Sequence, residues 1–339
     1  MPFLDLFHKV CARKGLNREE AKEAMTHILE GEISTPLIAA FLAAYKVLGD
    51  GPDELTGFAE AMREKVNRVA APEGVEVLDT CGTGGDGLAT FNISTAVALV
   101  VAGAGVHVAK HGNRAFSSHT GSADVLEKLG VKIDLNAEQM SQCLAECGIA
   151  FLYAPNVHPA MKHAAEARRA LKMRTVFNLL GPLSNPAGAQ YQLIGAPNFE
   201  AARVMAQALS LLGTKRSMIV HGEDGLDEVS TTARSMLYEI NGASVTRRAI
   251  KAEDFGLPVG TLLELHAKDG DDSARAILEV LDATPSAKLG IVLANAATAL
   301  YAAGKAETLR AGVGLAFESI ASGRAKGKLE ELKRVSNGK

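Results

Sequence analysis

From Val75 onward, short runs of β-branched and apolar residues alternate with longer helical stretches, and nothing else in the chain constrains its fold as strongly. "VEVLD", "VHVAKHG", "IAFLYAP", "YQLIGAP" and "RSMIVHG" have the length and composition of buried strands. Between them lie "STAVALVVAGAG", "GSADVLEKLG" followed by "NAEQMSQCLAEC", "HPAMKHAAEARRAL" and "EAARVMAQALSLLG", all helical in pattern. Strands joined through helices predict an α/β fold with a mostly parallel central sheet flanked by helices, its crossovers right-handed. "FNLLGPLSNPAG" predicts a turn-rich loop, and "SMLYEINGASVTRRAI" a hairpin turning at Asn241-Gly242. From about Asp272 the chain is helical and alanine-rich.

The first seventy residues carry helix patterns only. Asn17 and Glu20 form a capping box that opens a helix closed by Gly31. Thr35-Pro36 supplies a cap and a first-turn proline for "LIAAFLAAYKVL", and "PDELTGFAEAMREKVNRV" is a further amphipathic run. The second of these helices is apolar enough to predict packing beyond its own bundle. With 339 residues, 47% hydrophobic and 22% charged, the chain can bury one large or two ordinary cores. A net charge of −3 argues against broad nucleic-acid binding. Cys143 and Cys147 share a helix face, but no second Cys or His pair stands at zinc spacing, so buried thiols are expected. No run approaches the ~20 apolar residues of a membrane span, and a reducing cytoplasm is the expected compartment.

"DTCGTGGDGLATFNIST" places Gly82, Thr83, Gly84, Gly85 and Asp86 between a strand and a helix, where backbone N–H groups can approach phosphate oxygens. Gly82, Gly84 and Gly87 also satisfy the dinucleotide spacing G-x-G-x-x-G. That reading needs an acid at the end of the next strand; Lys110 and His111 stand there instead, and the helix starts late. Thr90, Asn92, Ser94 and Thr95 follow the loop and could cap the helix, bind phosphate or join a metal's shell. "KHGNRAFSSHTGSAD" brings cations, imidazoles and hydroxyls to the neighbouring strand end, so the pair of loops predicts a ligand with two phosphate groups. Asp224, Asp227 and Glu228 form an acidic cluster after a later strand, and the adjacent Asp227-Glu228 suits Mg²⁺ facing phosphates. His158 and Arg168 lie about three helical turns apart, and Arg168 or Arg169 could grip a carboxylate in a bidentate fork.

"GTGGD", "NIST", "KHGNR", "SSHTGSADVLEKLG", "HPAMKHAAEARRAL", "FNLLGPLSNPA", "HGEDGLDEVS" and "ANAATALYAAGKA" together resemble anthranilate phosphoribosyltransferases in order and spacing across essentially the whole chain. The resemblance implies transfer of the 5-phosphoribosyl group from phosphoribosyl pyrophosphate to anthranilate, in tryptophan biosynthesis. It implies a helical domain at 1–70, joined by a segment at about 158–186, hinged to an α/β domain at 71–157 and 187–339. By motif, Gly82, Thr83, Gly84, Gly85, Asp86, Thr90, Asn92, Ser94, Thr95, Lys110, Ser117, Ser118 and Ser122 would hold the phosphoribosyl donor. Ser94, Asp227 and Glu228 would hold two Mg²⁺ per subunit, with Lys110, Asp227 and Glu228 the catalytic groups. Gly82, His111, Asn113, Pro155, His158, Arg168 and Gly181 would line the anthranilate channel. A homodimer through the helical domain is also implied, with no nucleic-acid or membrane partner. Phe116 and His119-Thr120 depart from the family's usual residues. The rival readings are a pyrimidine nucleoside phosphorylase of the same architecture and a non-catalytic nucleic-acid-binding relative; the length and Asp227-Glu228 favour the transferase.

Overall fold

The computed structural model describes residues 1–84, 87–114 and 120–339. Four helices come first: α1 (Phe3–Cys11), α2 (Arg18–Leu29), α3 (Thr35–Leu48) and α4 (Pro52–Glu64). The capping box forms in full: the Asn17 side chain accepts the Glu20 amide and Glu20 accepts the Asn17 amide. Ser34 rather than Thr35 precedes α3, and the Thr35 hydroxyl donates to Glu166 instead. At Gly57 a Cβ would stand 2.1 Å from the Arg18 carbonyl oxygen, so α2 and α4 can cross this closely only with glycine there.

The alternating region follows as β1 (Val77–Asp79), α5 (Ile93–Gly103), β2 (His107–Gly112), α6 (Ser122–Lys128), α7 (Ala137–Cys147), β3 (Ile149–Tyr153) and α8 (Ala154–Val157). A 3₁₀ turn leads into α9 (Lys162–Leu171), α10 (Phe177–Leu183), β4 (Tyr191–Gly195), α11 (Phe199–Leu211) and β5 (Arg216–Gly222). The expected hairpin is β6 (Ser235–Asn241) and β7 (Ser244–Ile250), with Gly242 at φ 55° in its turn. α12 (Ala252–Phe255), α13 (Gly270–Leu281), α14 (Ala287–Ala302), α15 (Leu309–Ala321) and α16 (Arg324–Ser336) complete the chain. The loop expected at "FNLLGPLSNPAG" is thus partly helix, as α10. Pro182 lies in its last turn, and the complete burial of Leu180 and Leu183 outweighs the proline.

The strand order is β3-β2-β1-β4-β5-β6-β7, parallel from β3 to β5 and antiparallel beyond. β1 is central and wholly buried, with Leu78 paired to Val108 on one side and Tyr191 on the other. The chain steps outward from β1 to β2 and β3, then returns to the other flank of β1 for β4. That reversal opens a crevice at the carboxyl ends of β1 and β4, where open parallel sheets bind ligands.

Two apolar clusters sandwich the sheet. One joins α5–α7 and the C-terminal helices to one face. The other runs from α1–α4 through α9 and α10 to α11 and to Ile194, Ile219 and Ile240 on the opposite face. Cys143 and Cys147 are buried and unbridged, as expected. Among the described residues, no helix is long and apolar enough to cross a membrane.

Candidate active site

A cleft of about 550 Å³ opens where β1 and β2 end, walled by α8–α10 on one side and by the loop after β5 on another. Its floor is Lys110. That ammonium is buried and donates to the Ser94 hydroxyl at 3.0 Å, the Thr80 carbonyl at 3.3 Å and the Thr80 hydroxyl at 3.4 Å. A buried cation whose hydrogen bonds, among the described residues, go to neutral oxygens suits a site built for an anion. Ser94 also donates to the Asn92 side chain at 3.4 Å, leaving one lone pair of its hydroxyl uncommitted.

The glycine loop crosses above. Thr83 donates its amide to the Gly195 carbonyl at 2.9 Å, tying the loop to the end of β4. Gly195 in turn lies against the acidic loop: a Cβ there would fall 1.5 Å from the Asp227 carbonyl oxygen. Asp227 and Glu228 are half-buried and both face the cleft. Their backbone is held from behind by Asn295 of α14, which accepts the Val229 amide at 2.8 Å and donates to the Val229 carbonyl at 2.9 Å. Asp224 does not join them on the wall. Its carboxylate accepts from Ser230, Thr232 and the Leu226 amide, so it shapes the turn.

The other end of the cleft is narrower and less polar. His111 donates through Nδ1 to the Gly181 carbonyl at 3.1 Å, which leaves Nε2 as an acceptor with no partner among the described residues. Its ring lies 4.9 Å from that of His158, whose Nε2 also lacks a partner. Burial pushes His111 down to about 4. Burial, with His111 beside it, pushes His158 down to about 2, so both are neutral imidazoles at pH 7. Arg168 stands over the Phe177 ring with its guanidinium carbon 5.3 Å from the centroid, and burial lowers it from its ordinary value. Arg169, the alternative carboxylate ligand, is exposed.

The structure brings Gly82, Thr83, Gly84, Thr90, Asn92, Ser94, Lys110, Ser122, Asp227 and Glu228 to one cleft with His111, Asn113, Pro155, His158, Arg168 and Gly181. Thr95 is not on the wall. It is buried, and both its amide and its hydroxyl donate to Asn92, the N-cap of α5. Gly85, Asp86, Phe116, Ser117, Ser118 and His119 lie outside the described residues, while Thr120 lines the cleft.

Sequence reasoning missed the layer behind the wall. Asp79 is wholly buried at the end of β1, accepts the His111 amide at 3.1 Å and the Asn185 side chain at 2.7 Å, and is pushed up to about 6 by burial. Asn185 also donates to the Ala109 carbonyl, so β1, β2 and the segment after α10 are pinned at one point. Asn185 and Asn295 both sit inside motifs that are legible in the sequence, but only their distant partners reveal what they do.

Comparison with known proteins matches the helical bundle domain of a glycosyl transferase family at residues 4–66 and its a/b domain at residues 74–326. The anthranilate phosphoribosyltransferase of Solibacter usitatus is 48% identical, over 98% of this chain and 98% of its own. That of Rubrobacter xylanophilus is 47% identical, over 98% and 97%. The crystal structure of the Thermus thermophilus anthranilate phosphoribosyltransferase superposes with a TM-score of 0.93 at 39% identity, covering 98% of this chain and 100% of that one. The Saccharomyces cerevisiae enzyme in complex with phosphoribosyl pyrophosphate and Mg superposes at 0.91 with 27% identity, covering 99% and 98%.

Proposed function

The chain belongs to the anthranilate phosphoribosyltransferase family, and from that premise we propose how its own residues carry the reaction. It transfers the 5-phosphoribosyl group from phosphoribosyl pyrophosphate to the amine of anthranilate and releases pyrophosphate, a step of tryptophan biosynthesis. The diphosphate lies along Gly82, Thr83 and Gly84, with Gly85 and Asp86 continuing that loop, and reaches Asn92, Ser94 and Lys110. Thr90 and Ser122 of the cleft hold the ribose and its phosphate, and Ser117 and Ser118 are assigned to the same donor by their sequence motif. Anthranilate enters beside Gly82, His111, Asn113, Pro155, His158 and Gly181, with its carboxylate on Arg168.

The observation that carries this reading is Lys110, a buried ammonium between the glycine loop and the acidic loop. Displacement at C1′ builds negative charge on the leaving diphosphate, and a fixed cation stabilises it without reorganisation. The oxygen donors Asp227 and Glu228 fit Mg²⁺, with the uncommitted Ser94 lone pair as a third ligand, and we infer two ions per subunit. Bound there, magnesium would neutralise diphosphate charge. The amine of anthranilate is neutral at pH 7, so it needs no strong base; it needs alignment. The neutral His111 and His158 add no positive charge beside the amine, and the Nε2 of His111 offers an acceptor for its N–H.

We infer that the helical domain at 1–70 moves together with 158–186 against the remainder at 71–157 and 187–339, supported by α9, which packs on α2 and α3. We infer a cytoplasmic homodimer through the helical domain, supported by Leu4 and Val47, which α1 and α3 leave exposed. The net charge of −3 supports small-molecule substrates over a nucleic-acid partner. Anthranilate fluorescence tests the reading: it should fall with phosphoribosyl pyrophosphate and Mg²⁺, and persist when the metal is chelated. Turnover of thymidine with phosphate instead would assign the cleft to the phosphorylase reaction.

A further inference from the structure

The turn between α9 and α10 reaches across the mouth of the cleft: Arg174 donates from Nη2 to the Gly84 carbonyl of the glycine loop. Arg174 does not itself line the cleft. Its backbone is set on both sides. Lys172 takes a left-handed conformation at φ 48°, ending α9. Thr175 is buried, donates its amide to the Asn178 side chain at 3.0 Å and accepts the Asn178 amide at 2.9 Å. The residue on the other side of the contact is much less constrained. Gly84 sits at φ +66° with nothing within 4 Å of where a Cβ would be, so only backbone groups can hold it in place. Among the described residues, Thr83 is thus held by Gly195 of β4 and Gly84 by Arg174.

The two grips come from different elements. β4 is part of the central sheet, whereas the turn carrying Arg174 follows α9, which packs with α1–α4. We propose that Arg174 is a positioning residue that sets the glycine loop for the phosphoribosyl donor and ties that loop to the substrate-side wall. This rests on the donor's diphosphate lying along Gly82–Gly84, as read above. A guanidinium–carbonyl bond is charge-assisted and keeps the loop from sampling wider states before the donor arrives. Movement of the helical side against the sheet then reaches the diphosphate by way of the Arg174–Gly84 contact. Anthranilate, held by groups outside that loop other than Gly82, feels the clamp far less.

The test uses the full chain with Arg174→Ala and Arg174→Lys. Hydrogen exchange at Thr83, Gly84 and Leu88, measured without substrates, should speed up in Arg174→Ala and return toward the parent in Arg174→Lys, which keeps a charged donor. In steady-state assays the KM for phosphoribosyl pyrophosphate should rise about tenfold in Arg174→Ala, with the KM for anthranilate and the Tm close to the parent values. Unchanged exchange in the loop overturns the clamp, and so does an unchanged donor KM. If the parent chain transfers no phosphoribosyl group, it is the reading of the site that fails. The exchange measurement then still decides whether Arg174 holds the loop.

Discussion

Lys110 shows how much one side chain depends on its neighbours. Its three described partners are neutral oxygens, so its charge is available to an anion in the cleft. The acidic pair opposite has the complementary task. Replacing Asp227 and Glu228 together by Ala should lower turnover by about a thousandfold while the Tm stays near the parent value. Near-normal activity in that variant would remove both residues from the metal site. Arg168→Ala should raise the anthranilate KM about thirtyfold, the cost of a charge-assisted fork, and leave the donor KM within about twofold; an anthranilate KM that does not move would place the carboxylate elsewhere. These residues were legible because charged types follow apolar strands at Lys110 and Asp227-Glu228, and because Arg168 stands in a helix opening near another strand end. Thr95 reads from the sequence as either a cap or a phosphate ligand. A hydroxyl behind a glycine loop looks like a phosphate ligand, and only the structure shows it spent on the N-cap of α5. Asp79 was invisible, since a carboxylate closing a strand has no meaning until Asn185, more than a hundred residues on, is found beside it.

Among elements, the junction of β4 with the acidic loop is the tightest near the site. A methyl group at Gly195 would overlap the Asp227 carbonyl, so the backbone of one must move. Gly195→Ala should therefore destabilise the fold by about 3 kcal/mol, the upper range for overpacking, and raise the Mg²⁺ concentration needed for half-maximal activity. Urea unfolding and a magnesium titration measure the two effects, and a variant with parent-like values in both would show that the loop yields freely. The parallel strands and most helices could be read from period and punctuation because the strands are buried along most of their length and the helices along one face. α10 could not. Gly181 and Pro182 argue for a turn locally, and it is the packing of Leu180 and Leu183 in the shared apolar cluster that makes a helix there.

The molecule as a whole should respond to acid through its buried imidazoles. His111 and His158 titrate at about 4 and about 2 when folded, against an ordinary 6.5. Below pH 6.5 the unfolded chain takes up protons that the folded chain refuses, so stability falls as pH drops from 6.5 toward 4. Asp79, raised to about 6, acts in the opposite sense: between pH 6 and 3.8 the folded state holds the extra proton, which offsets part of the loss. Each histidine should cost about 2 kcal/mol between pH 7 and pH 5. His158→Gln should therefore lose less stability than the parent over that interval in urea unfolding. An equal loss would mean that His158 is protonated in the folded state.

β1 is three residues long, wholly buried and paired on both sides within the sheet, yet its second partner strand begins at Tyr191. During synthesis, the helices of the first seventy residues can form as they emerge, while β1 waits with one flank bare until more than a hundred further residues have been made. The glycine loop hangs from that strand, and its grips at Gly195 and Arg174 are both supplied later in the chain. Catalytic competence is thus a late event in the life of each polypeptide, and a chain arrested before β4 would present an unpaired central edge to its neighbours rather than a half-made enzyme.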